Sequence, residues 1–461
     1  MAQVIRNKKP LATSPIKSGQ PLGAILASQG IEHCIPLVHG AQGCSAFAKV
    51  FFIQHFHDPI PLQSTAMDPT TTVMGSDSNI LTALTTLCQR NAPKAIVIIS
   101  TGLSEAQGSD MTRAVSEFRA DNPRFKSTAL LTVNTPDFYG SLENGYSAVL
   151  EGVIEQWIPE KPPAGMRNRR VNLLLSHLFT PGDIELIRSY VEAFGLQPIL
   201  LPDLSQSLDG HLASGDYQSV TQGGAVLRNI EQMGQSLSTI TLGVSLQRAA
   251  GLLAQRSRGM ALNLPHLMTL ASMDAFIQHL QQLSGREVPA WIDRQRGQLQ
   301  DAMIDCHMAL QDKTIALAAE GDLLAAWCDF ALSQGMVPGP VVAPVSQPGL
   351  LSLPVEQVLI GDLEDMQDLL INTPAHLLVA NSHAADLAEH CGIPLIRAGF
   401  PIYDRLGEFR RVRQGYAGIR DTLFELANQL LHEHHPVPAY HSPLRQQFPV
   451  VRRQEVEHVA C

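Results

Sequence analysis

Short apolar runs alternate with longer amphipathic stretches along most of this 461-residue chain. The apolar runs are continuous, which is typical of strands that are covered on both faces. Helix-like stretches of about 10 to 20 residues separate them. The alternation predicts an α/β fold of three domains, each a mostly parallel sheet flanked by helices. The predicted strands are 95–100, 129–133, 171–176, 198–201, 239–244, 314–318, 341–345, 357–361 and 376–380.

Two joints divide this pattern into three parts. Residues 160–165 are polar and proline-rich, and residues 285–289 form a second joint that contains glycine and proline. We therefore predict a first α/β domain at 1–164, a second at 165–287 and a third at 288–461. The third domain should open with a long helix at 290–309 and end in a C-terminal tail. In the second domain, Thr180-Pro181-Gly182-Asp183 predicts a helix start with Thr180 as N-cap.

The bulk properties argue against several classes of function. A formal net charge of −10 disfavours a nucleic-acid or anionic-membrane surface, because such a surface needs a basic patch. No apolar run approaches the roughly 18 residues of a membrane span. Residues 1–20 contain scattered Lys and Arg but no apolar signal core, so we expect a cytoplasmic protein.

The cysteine pattern gives no sign of a self-contained metal site or of a disulfide framework. The chain has seven cysteines, an odd number, and none forms a Cys-x-x-Cys pair. If any of them binds a metal centre, most of the other ligands must come from elsewhere. Five lie in or beside apolar patterns and are expected to pack in the core as small hydrophobic residues, and the terminal Cys461 is expected to be incidental. Those five are Cys34, Cys88, Cys306, Cys328 and Cys391.

The remaining cysteine, Cys44, ends a glycine-rich loop, Val38-His39-Gly40-Ala41-Gln42-Gly43-Cys44. The loop follows an apolar run and precedes a helix-like stretch at 45–55. The start of a helix places backbone N–H groups and a partial positive charge near the sulfur, which favours the thiolate. A thiolate can be a nucleophile, a redox thiol or a metal ligand, whereas the alternative is a small residue packed at a helix start. The chain lacks the Walker A, Gly-x-Gly-x-x-Gly and Gly-x-Ser-x-Gly patterns.

The histidines are weaker candidates for chemistry. We interpret His39 as a core or loop histidine with satisfied hydrogen bonds. His55 and His57 are two residues apart and do not share a helix face, so we expect an interface or helix-end role for them. The tail sequence His432-Glu433-His434-His435, with His441 beyond it, contains metal-binding side chains, but a solvated chain end is the simpler interpretation.

Several motifs spread over nearly the whole chain closely resemble the nitrogenase component 1 family. The N-terminal ones are Gln20-Pro21-Leu22-Gly23-Ala24, the Cys44 loop and Phe52-Ile53-Gln54-His55-Phe56. The C-terminal ones are Asn381-Ser382-His383, Gly392-Ile393-Pro394-Leu395, Gly399-Phe400-Pro401-Ile402-Tyr403-Asp404-Arg405 and Gly415-Tyr416-Ala417-Gly418.

One departure from the family pattern determines what the resemblance implies. In the catalytic β-subunit of this family, three cysteines bind the eight-iron P-cluster. Here the first of those positions is Gly19, the third is matched to Gly102, and only Cys44 remains. The loss of two thiolates makes a P-cluster very unfavourable and indicates an assembly scaffold rather than a catalytic subunit.

The resemblance therefore implies the β-type subunit of a scaffold complex for iron–molybdenum cofactor biosynthesis. On this complex the cofactor precursor receives molybdenum and homocitrate before its transfer to nitrogenase. Cys44 would be one ligand of a [4Fe–4S] cluster, and a NifE-like α subunit would supply the other three ligands and hold the precursor. The family implies an α2β2 heterotetramer and transient docking of the nitrogenase iron protein. It assigns no catalytic residue to this chain, so the chain would have a structural and electron-relaying role.

Three alternatives remain open at this point. The first is the β-subunit of nitrogenase itself, and the second is a β-type subunit of a related tetrapyrrole reductase. The third, from a different class, is a thiol enzyme that uses Cys44 as its nucleophile. That last alternative predicts activity without iron and ready alkylation of Cys44.

Overall fold

Three parallel sheets, each flanked by helices, build the chain. The structure is a computed structural model and describes residues 2–6, 9, 12–160, 169–212 and 217–432. Residues 161–165 of the first predicted joint, the tail histidines beyond His432 and Cys461 lie outside the described residues. The predicted α/β class with parallel sheets is confirmed, because every strand pairing in the described ranges is parallel.

The strands are short and mostly buried, as expected for sheets covered on both faces. They are β1 (Gln3–Arg6), β2 (Cys34–His39), β3 (Gln63–Ser64), β4 (Ala95–Ser100), β5 (Ala129–Val133), β6 (Arg170–Leu175), β7 (Gln197–Leu201), β8 (Ser238–Leu242), β9 (Met260–Leu264), β10 (Thr314–Ala318), β11 (Val337–Ala343), β12 (Gln357–Ile360), β13 (Leu377–Ala380) and β14 (Leu395–Arg397).

The helices connect successive strands and cover the sheet faces. They are α1 (Gln20–Gln29), α2 (Gln42–Phe56), α3 (Pro69–Met74), α4 (Asp77–Asn91), α5 (Gly102–Gln107), α6 (Met111–Asp121), α7 (Leu142–Trp157), α8 (Pro181–Ala193), α9 (Leu227–Glu231), α10 (Gln247–Arg256), α11 (Leu270–Ser284), α12 (Ala290–Leu310), α13 (Gly321–Ser333), α14 (Leu363–Asn372), α15 (Ala385–Cys391) and α16 (Gly415–His432). No helix in the described part of the chain combines the length and the apolarity that a bilayer span requires.

The order of the strands is interrupted by crossovers in all three sheets. The first sheet runs β3-β2-β4-β5, the second β7-β6-β8-β9, and the third β1-β12-β11-β10-β13-β14. The N-terminal strand β1 pairs with β12 and thus belongs to the third sheet, a long-range pairing that local sequence patterns do not reveal. The predicted domain limits at residues 164 and 287 stay a prediction.

Two helices of the first unit pack unusually closely. Helix α1 lies against α7, and this crossing is so close that a Cβ atom at Gly23 would stand 1.8 Å from the carbonyl oxygen of Leu142. Gly145 is equally tight, because its Cβ would stand 1.9 Å from the carbonyl oxygen of Gln20. The glycine of the Gln-Pro-Leu-Gly-Ala motif therefore permits two backbones to approach, which is a structural reason for its presence.

Candidate functional site

Cys44 lies in the first turn of helix α2, beyond the carboxyl end of the buried strand β2. The sequence predicted that the helix begins at Ser45, and this is wrong by three residues, since α2 begins at Gln42 and the backbone N–H of Cys44 already bonds the carbonyl oxygen of Ala41 at 3.2 Å. The residue is exposed. The sulfur is therefore accessible at a helix N-terminus.

The two glycines that stand in place of cysteines both lie beside one carboxylate, that of Asp137. A Cβ atom on Gly19 would be 2.7 Å from Asp137 Oδ1, and one on Gly102 would be 3.6 Å from Asp137 Cβ. The backbone N–H of Gly102 donates to Asp137 Oδ2 at 3.4 Å. Cys44 also interacts electrostatically with Asp137. The structure thus brings together the three positions that the sequence analysis singled out, with Asp137 among them.

Three side-chain hydrogen bonds hold the segment that carries Asp137. The side chain of Gln20, from the Gln-Pro-Leu-Gly-Ala motif, donates through Nε2 to the carbonyl oxygens of Pro136 at 3.0 Å and Tyr139 at 2.8 Å. Lys17 Nζ donates to the carbonyl oxygen of Asp137 at 3.3 Å. The start of α1 therefore fixes the position of the Asp137 carboxylate.

A similar contact fixes the base of the cysteine loop. A Cβ atom on Gly40 would be 2.7 Å from Thr101 Oγ1, and this hydroxyl donates to the carbonyl oxygen of His39 at 3.0 Å. Thr101 is also the N-cap of α5, where its side chain accepts from the N–H of Ser104. Gly43 is different, because a Cβ there would meet nothing within 4 Å. Its open side leaves space next to the sulfur for another molecule.

The electrostatics do not favour a thiolate in the isolated chain. Partial enclosure of the sulfur and, second, the charge of Asp137 raise the pKa of Cys44, and the backbone N–H groups of the helix start oppose this without reversing it. Partial burial also raises the pKa of Asp137, against the effects of the Gly102 N–H and of Lys17. The helix start thus favours the thiolate, as the sequence predicts, but burial and the charge of Asp137 outweigh it in the chain alone. A metal ion that displaces the thiol proton would reverse this balance.

The residues around Cys44 fit a shared metal centre but not a complete one. Within the described ranges, the only set of three His, Cys, Asp or Glu side chains close enough to hold one metal ion lies elsewhere, at Glu143, His177 and Asp322. A [4Fe–4S] cluster usually takes four thiolates, of which this site offers one. Cys44 is thus suited to complete a ligand set that another chain supplies.

Exposed apolar side chains accompany the cysteine on the surface of α2. Along α2, Phe47 is 71% exposed, Val50 50% and Ile53 45%. Phe138 and Tyr139, which follow Asp137 directly, are also exposed. Large apolar side chains gathered on a protein surface are a mark of an interaction site.

The three histidines near this region have structural roles. His39 is buried, with Nδ1 2.9 Å from Thr65 Oγ1 and Nε2 3.1 Å from Ser76 Oγ, and burial lowers its pKa to about 4. The prediction of a satisfied loop histidine is confirmed. His57 is the left-handed C-cap of α2, and His55 Nδ1 accepts from the backbone N–H of Ile402 at 2.9 Å. The predicted helix-end and interface roles are confirmed as well.

The other cysteines of the described part of the chain behave largely as predicted. Cys34, Cys88, Cys306 and Cys328 are buried, and Cys391 is half-buried at the end of α15. The sequence analysis missed Asp137. It lies four residues after the end of β5, and parallel sheets place their functional residues at the carboxyl ends of strands, so its position after the apolar run 129–133 was the signal that could have found it.

This three-sheet α/β architecture, with one cysteine at a helix start of the first sheet, defines a class that comparison with known proteins identifies. The family model described as "Nitrogenase component 1 type Oxidoreductase" matches residues 19–431. The chain belongs to this family. A solved structure described as nitrogenase Cp1 at pH 6.5 has a TM-score of 0.87 at 28% identity and covers 97% of this chain and 98% of its own.

Relatives in sequence are more specific. The chain is 71% identical over 446 residues to the nitrogenase iron-molybdenum cofactor biosynthesis protein NifN of Klebsiella pneumoniae, with 97% of each chain covered. It is 41% identical to the NifN protein of Nostoc sp., with 93% of this chain and 95% of the relative covered.

Proposed function

We propose that this chain is the β-type subunit of a scaffold complex on which the precursor of the iron–molybdenum cofactor is matured. Molybdenum and homocitrate would be added there before the cofactor is transferred to nitrogenase. The observation that carries the proposal is the single thiol at a three-position site, with glycine at the other two positions and Asp137 between them. The names of the relatives, which refer to biosynthesis of this cofactor, support it.

Cys44 would supply one ligand to a [4Fe–4S] cluster at the subunit interface. Such a cluster, when bound, provides one-electron transfer. A NifE-like α subunit would supply the other three ligands and hold the cofactor precursor, in an α2β2 heterotetramer. The exposed face of α2, with Phe47 and Val50, is a suitable surface to bury against that subunit, because it would exclude water from the sulfur.

The remaining residues of the site would tune the properties of the bound cluster and would not take part in bond making or breaking. The open side of Gly43 lets a partner or a cluster approach the backbone, and the free N–H groups in the first turn of α2 can donate hydrogen bonds to sulfur. The iron protein of nitrogenase would dock transiently across the two subunits. We assign no acid–base or nucleophilic residue to the chain.

The alternative functions fit the site less well. A nitrogenase β-subunit requires thiolates at positions 19 and 102, where this chain has glycine. A tetrapyrrole reductase subunit is not favoured by the two relatives described above, which are NifN proteins at 71% and 41% identity. A nucleophilic thiol needs a depressed pKa, whereas that of Cys44 is raised.

The test is anaerobic co-purification of the full chain with its α-type partner, followed by iron analysis and EPR. We expect about four irons per αβ pair at the interface and a reduced [4Fe–4S] signal that is lost or altered in Cys44→Ala. Cys391→Ala, a half-buried cysteine in α15, is the matched control and should leave both readouts unchanged.

Two results would contradict the proposal. Iron content and signal that do not depend on Cys44 would mean that the loop is only structural. About eight irons at the interface, the P-cluster count, would revive the catalytic alternative.

A further inference from the structure

A second group of polar side chains lies where elements from different parts of the chain meet. Glu143 is the second residue of α7, His177 follows β6, and Asp322 is the second residue of α13. One ligand atom from each can be chosen so that all three lie within 4.8 Å of one another. His177 Nε2 and Glu143 Oε2 are 3.9 Å apart. Each residue is provided by a helix or strand end that borders a different sheet.

His177 has no partner for either ring nitrogen. Its side chain is only 3% exposed, yet among the described residues neither Nδ1 nor Nε2 has a hydrogen-bond partner. Burial lowers the pKa of His177 to about 4, so the ring is neutral and has a free lone pair. The hydroxyls of Tyr146 and Ser176 and the Trp327 indole nitrogen are also buried without a partner in that part of the chain. Native proteins rarely leave buried polar atoms unsatisfied, and such a concentration indicates that another species meets them.

The two carboxylates are held in fixed positions by backbone groups. The N–H of Asp322 donates to Glu143 Oε2 at 2.8 Å. Ser245 donates to Asp322 twice, through its backbone N–H at 2.9 Å and its hydroxyl at 2.6 Å. Gly243 closes this corner, because a Cβ there would stand 2.8 Å from Asp322 Oδ2 and 2.7 Å from Ser176 Oγ. The arrangement is therefore built and not a loose surface cluster.

The charge of the group selects a cation over an anion. Glu143 and Asp322 are buried to about 1% exposure, and no Lys or Arg within the described ranges forms an ion pair with either of them. A third, half-buried carboxyl group, Glu320, interacts with both of these carboxylates. Buried carboxylates are normally paired or bound to metal, because an isolated buried charge is very costly.

We propose that Glu143, His177 and Asp322 bind one divalent first-row transition-metal cation. One imidazole nitrogen with two carboxylate oxygens is a ligand set for Mn²⁺, Fe²⁺ or Zn²⁺, whereas Mg²⁺ and Ca²⁺ prefer oxygen alone. Metal–ligand distances of about 2.0–2.2 Å place ligand atoms roughly 3–4 Å apart, so the widest separation in the group must contract by roughly 1–2 Å on binding. The bound ion would connect α7, the end of β6 and α13, and would so join the three units.

Space for additional ligands lies next to the histidine. His177 borders a cavity of about 60 Å³ that is also lined by Trp327 and Phe400. This volume is enough for ordered water, which can complete the coordination of an ion held by three protein ligands. The site is separate from Cys44 and uses none of its neighbours.

The main competing explanation is a buried proton. Burial and the charges of Asp322 and Glu320 raise the pKa of Glu143 well above its ordinary value, so a protonated Glu143 would also relieve the repulsion. A protonated Glu143 could donate to His177 Nε2 only if their 3.9 Å separation closed, and Nδ1 would still have no partner among the described residues. Direct metal-binding measurements distinguish the two.

The experiment titrates the full-length chain with Mn²⁺ alone, after treatment with a chelator, and follows free Mn²⁺ by EPR. All samples carry Cys44→Ala and alanine at His434, His435 and His441, so that neither the cluster ligand nor the tail contributes. We expect one equivalent per chain and competition by Zn²⁺. His177→Ala should weaken binding by at least about tenfold, since even indirect supports of a metal site are worth that much.

His266→Ala is the matched control. His266 is equally buried and lies 2.9 Å from a carboxylate oxygen of Asp329, but this pair has no second carboxylate within the metal-binding set. Its replacement should leave the affinity for Mn²⁺ unchanged. Equal loss in both variants would overturn the proposal.

A second measurement, on protein that keeps Glu143, His177 and Asp322, tests the proposal even if His177→Ala does not fold. The Mn²⁺-loaded protein should show the nitrogen coupling of one imidazole in pulsed EPR, and its thermal midpoint should rise with Mn²⁺ concentration. Failure to bind, or binding without a nitrogen coupling, would mean that the trio holds a proton instead. Because Cys44 is absent from these samples, neither result bears on the cluster proposal.

Discussion

Replacement of Gly23 by alanine tests how the packing of α1 against α7 supports the Cys44 site. The added Cβ would lie 1.8 Å from the carbonyl oxygen of Leu142 and 2.8 Å from the backbone nitrogen of Tyr146. Both atoms are backbone atoms of α7, so neither can rotate away. The two helices must separate for the variant to fold.

The expected loss of stability in Gly23→Ala follows from this geometry. A relaxed C···O contact is about 3.3–3.6 Å, so the crossing must open by more than about 1 Å. Overpacking of this kind costs roughly 1–3 kcal/mol, and the helical gain of alanine over glycine, roughly 0.5–1 kcal/mol, offsets only part of it. We therefore expect Gly23→Ala to lower the free energy of unfolding by about 1–2 kcal/mol or more.

Gly251→Ala is the control for this substitution. Gly251 is exposed within α10, and a Cβ there meets nothing within 4 Å. This variant should gain about 0.5–1 kcal/mol, because only the backbone entropy changes. Hydrogen exchange of peptides from α1 and α7 is the appropriate assay, since the three units need not unfold as one.

The same variant links packing to the site. Gln20, three residues before Gly23, holds the segment of Asp137 through two hydrogen bonds. A displaced α1 should therefore accelerate exchange in residues 136–140 and reduce the iron content of the complex. Unchanged protection of α7 and of this segment in Gly23→Ala, or an equal effect in Gly251→Ala, would refute the reasoning.

Three further predictions concern charge and cysteine chemistry. Asp137→Asn should lower the pKa of the Cys44 thiol in the isolated chain, because the carboxylate raises it; the pH dependence of iodoacetamide labelling measures this, and an unchanged profile contradicts it. Burial holds the pKa of His39 at about 4, below the value of about 6.5 in the unfolded chain, so the unfolded state takes up the proton first. Stability should thus be lost as pH falls from about 6.5 toward 4 in urea titrations, and a His39→Gln variant with the same slope would count against this. Cys306→Ala should keep full iron content and lose about 1 kcal/mol of packing, and a missing cluster signal would show that the ligands are misplaced.

Apolar runs predicted most of the sheet strands. The predicted strands 95–100, 129–133 and 314–318 coincide with β4, β5 and β10. Each of these is continuous, apolar and buried, so its pattern carries the full signal. The predicted helix start at Thr180 is confirmed, since the Thr180 side chain accepts a hydrogen bond from the N–H of Asp183. It was predictable because capping is a local interaction that adjacent residues determine.

Three of the strands that were not predicted, β1, β3 and β9, lack this signal. Strand β9 is largely exposed at the edge of its sheet, and β3 has only two residues. Strand β1 is formed by residues whose partner lies more than 350 positions away, in β12. Local periodicity contains no information about such a pairing.

The candidate site was predictable only where the residue type was distinctive. Cys44 stood out because a cysteine after two glycines is an unusual pattern with few interpretations. Asp137 did not, because an aspartate in a polar loop is common, and its proximity to both Gly19 and Gly102 is visible only in the structure. Glu143, His177 and Asp322 lie up to 179 positions apart and meet only in three dimensions.

The Cys44 site and the Glu143–His177–Asp322 site occupy similar places in the fold but differ in how many ligands the chain itself provides. Cys44, Asp137 and His177 all follow the carboxyl ends of parallel strands, where backbone N–H groups and loops gather functional side chains. The Cys44 site opens outward next to apolar side chains and offers one ligand, so the cluster proposed there would depend on a second chain. The Glu143–His177–Asp322 site is closed within the chain and offers three, so its chemistry does not. A defect that appears only in the assembled complex therefore points to the first site, and one that appears in the isolated chain points to the second.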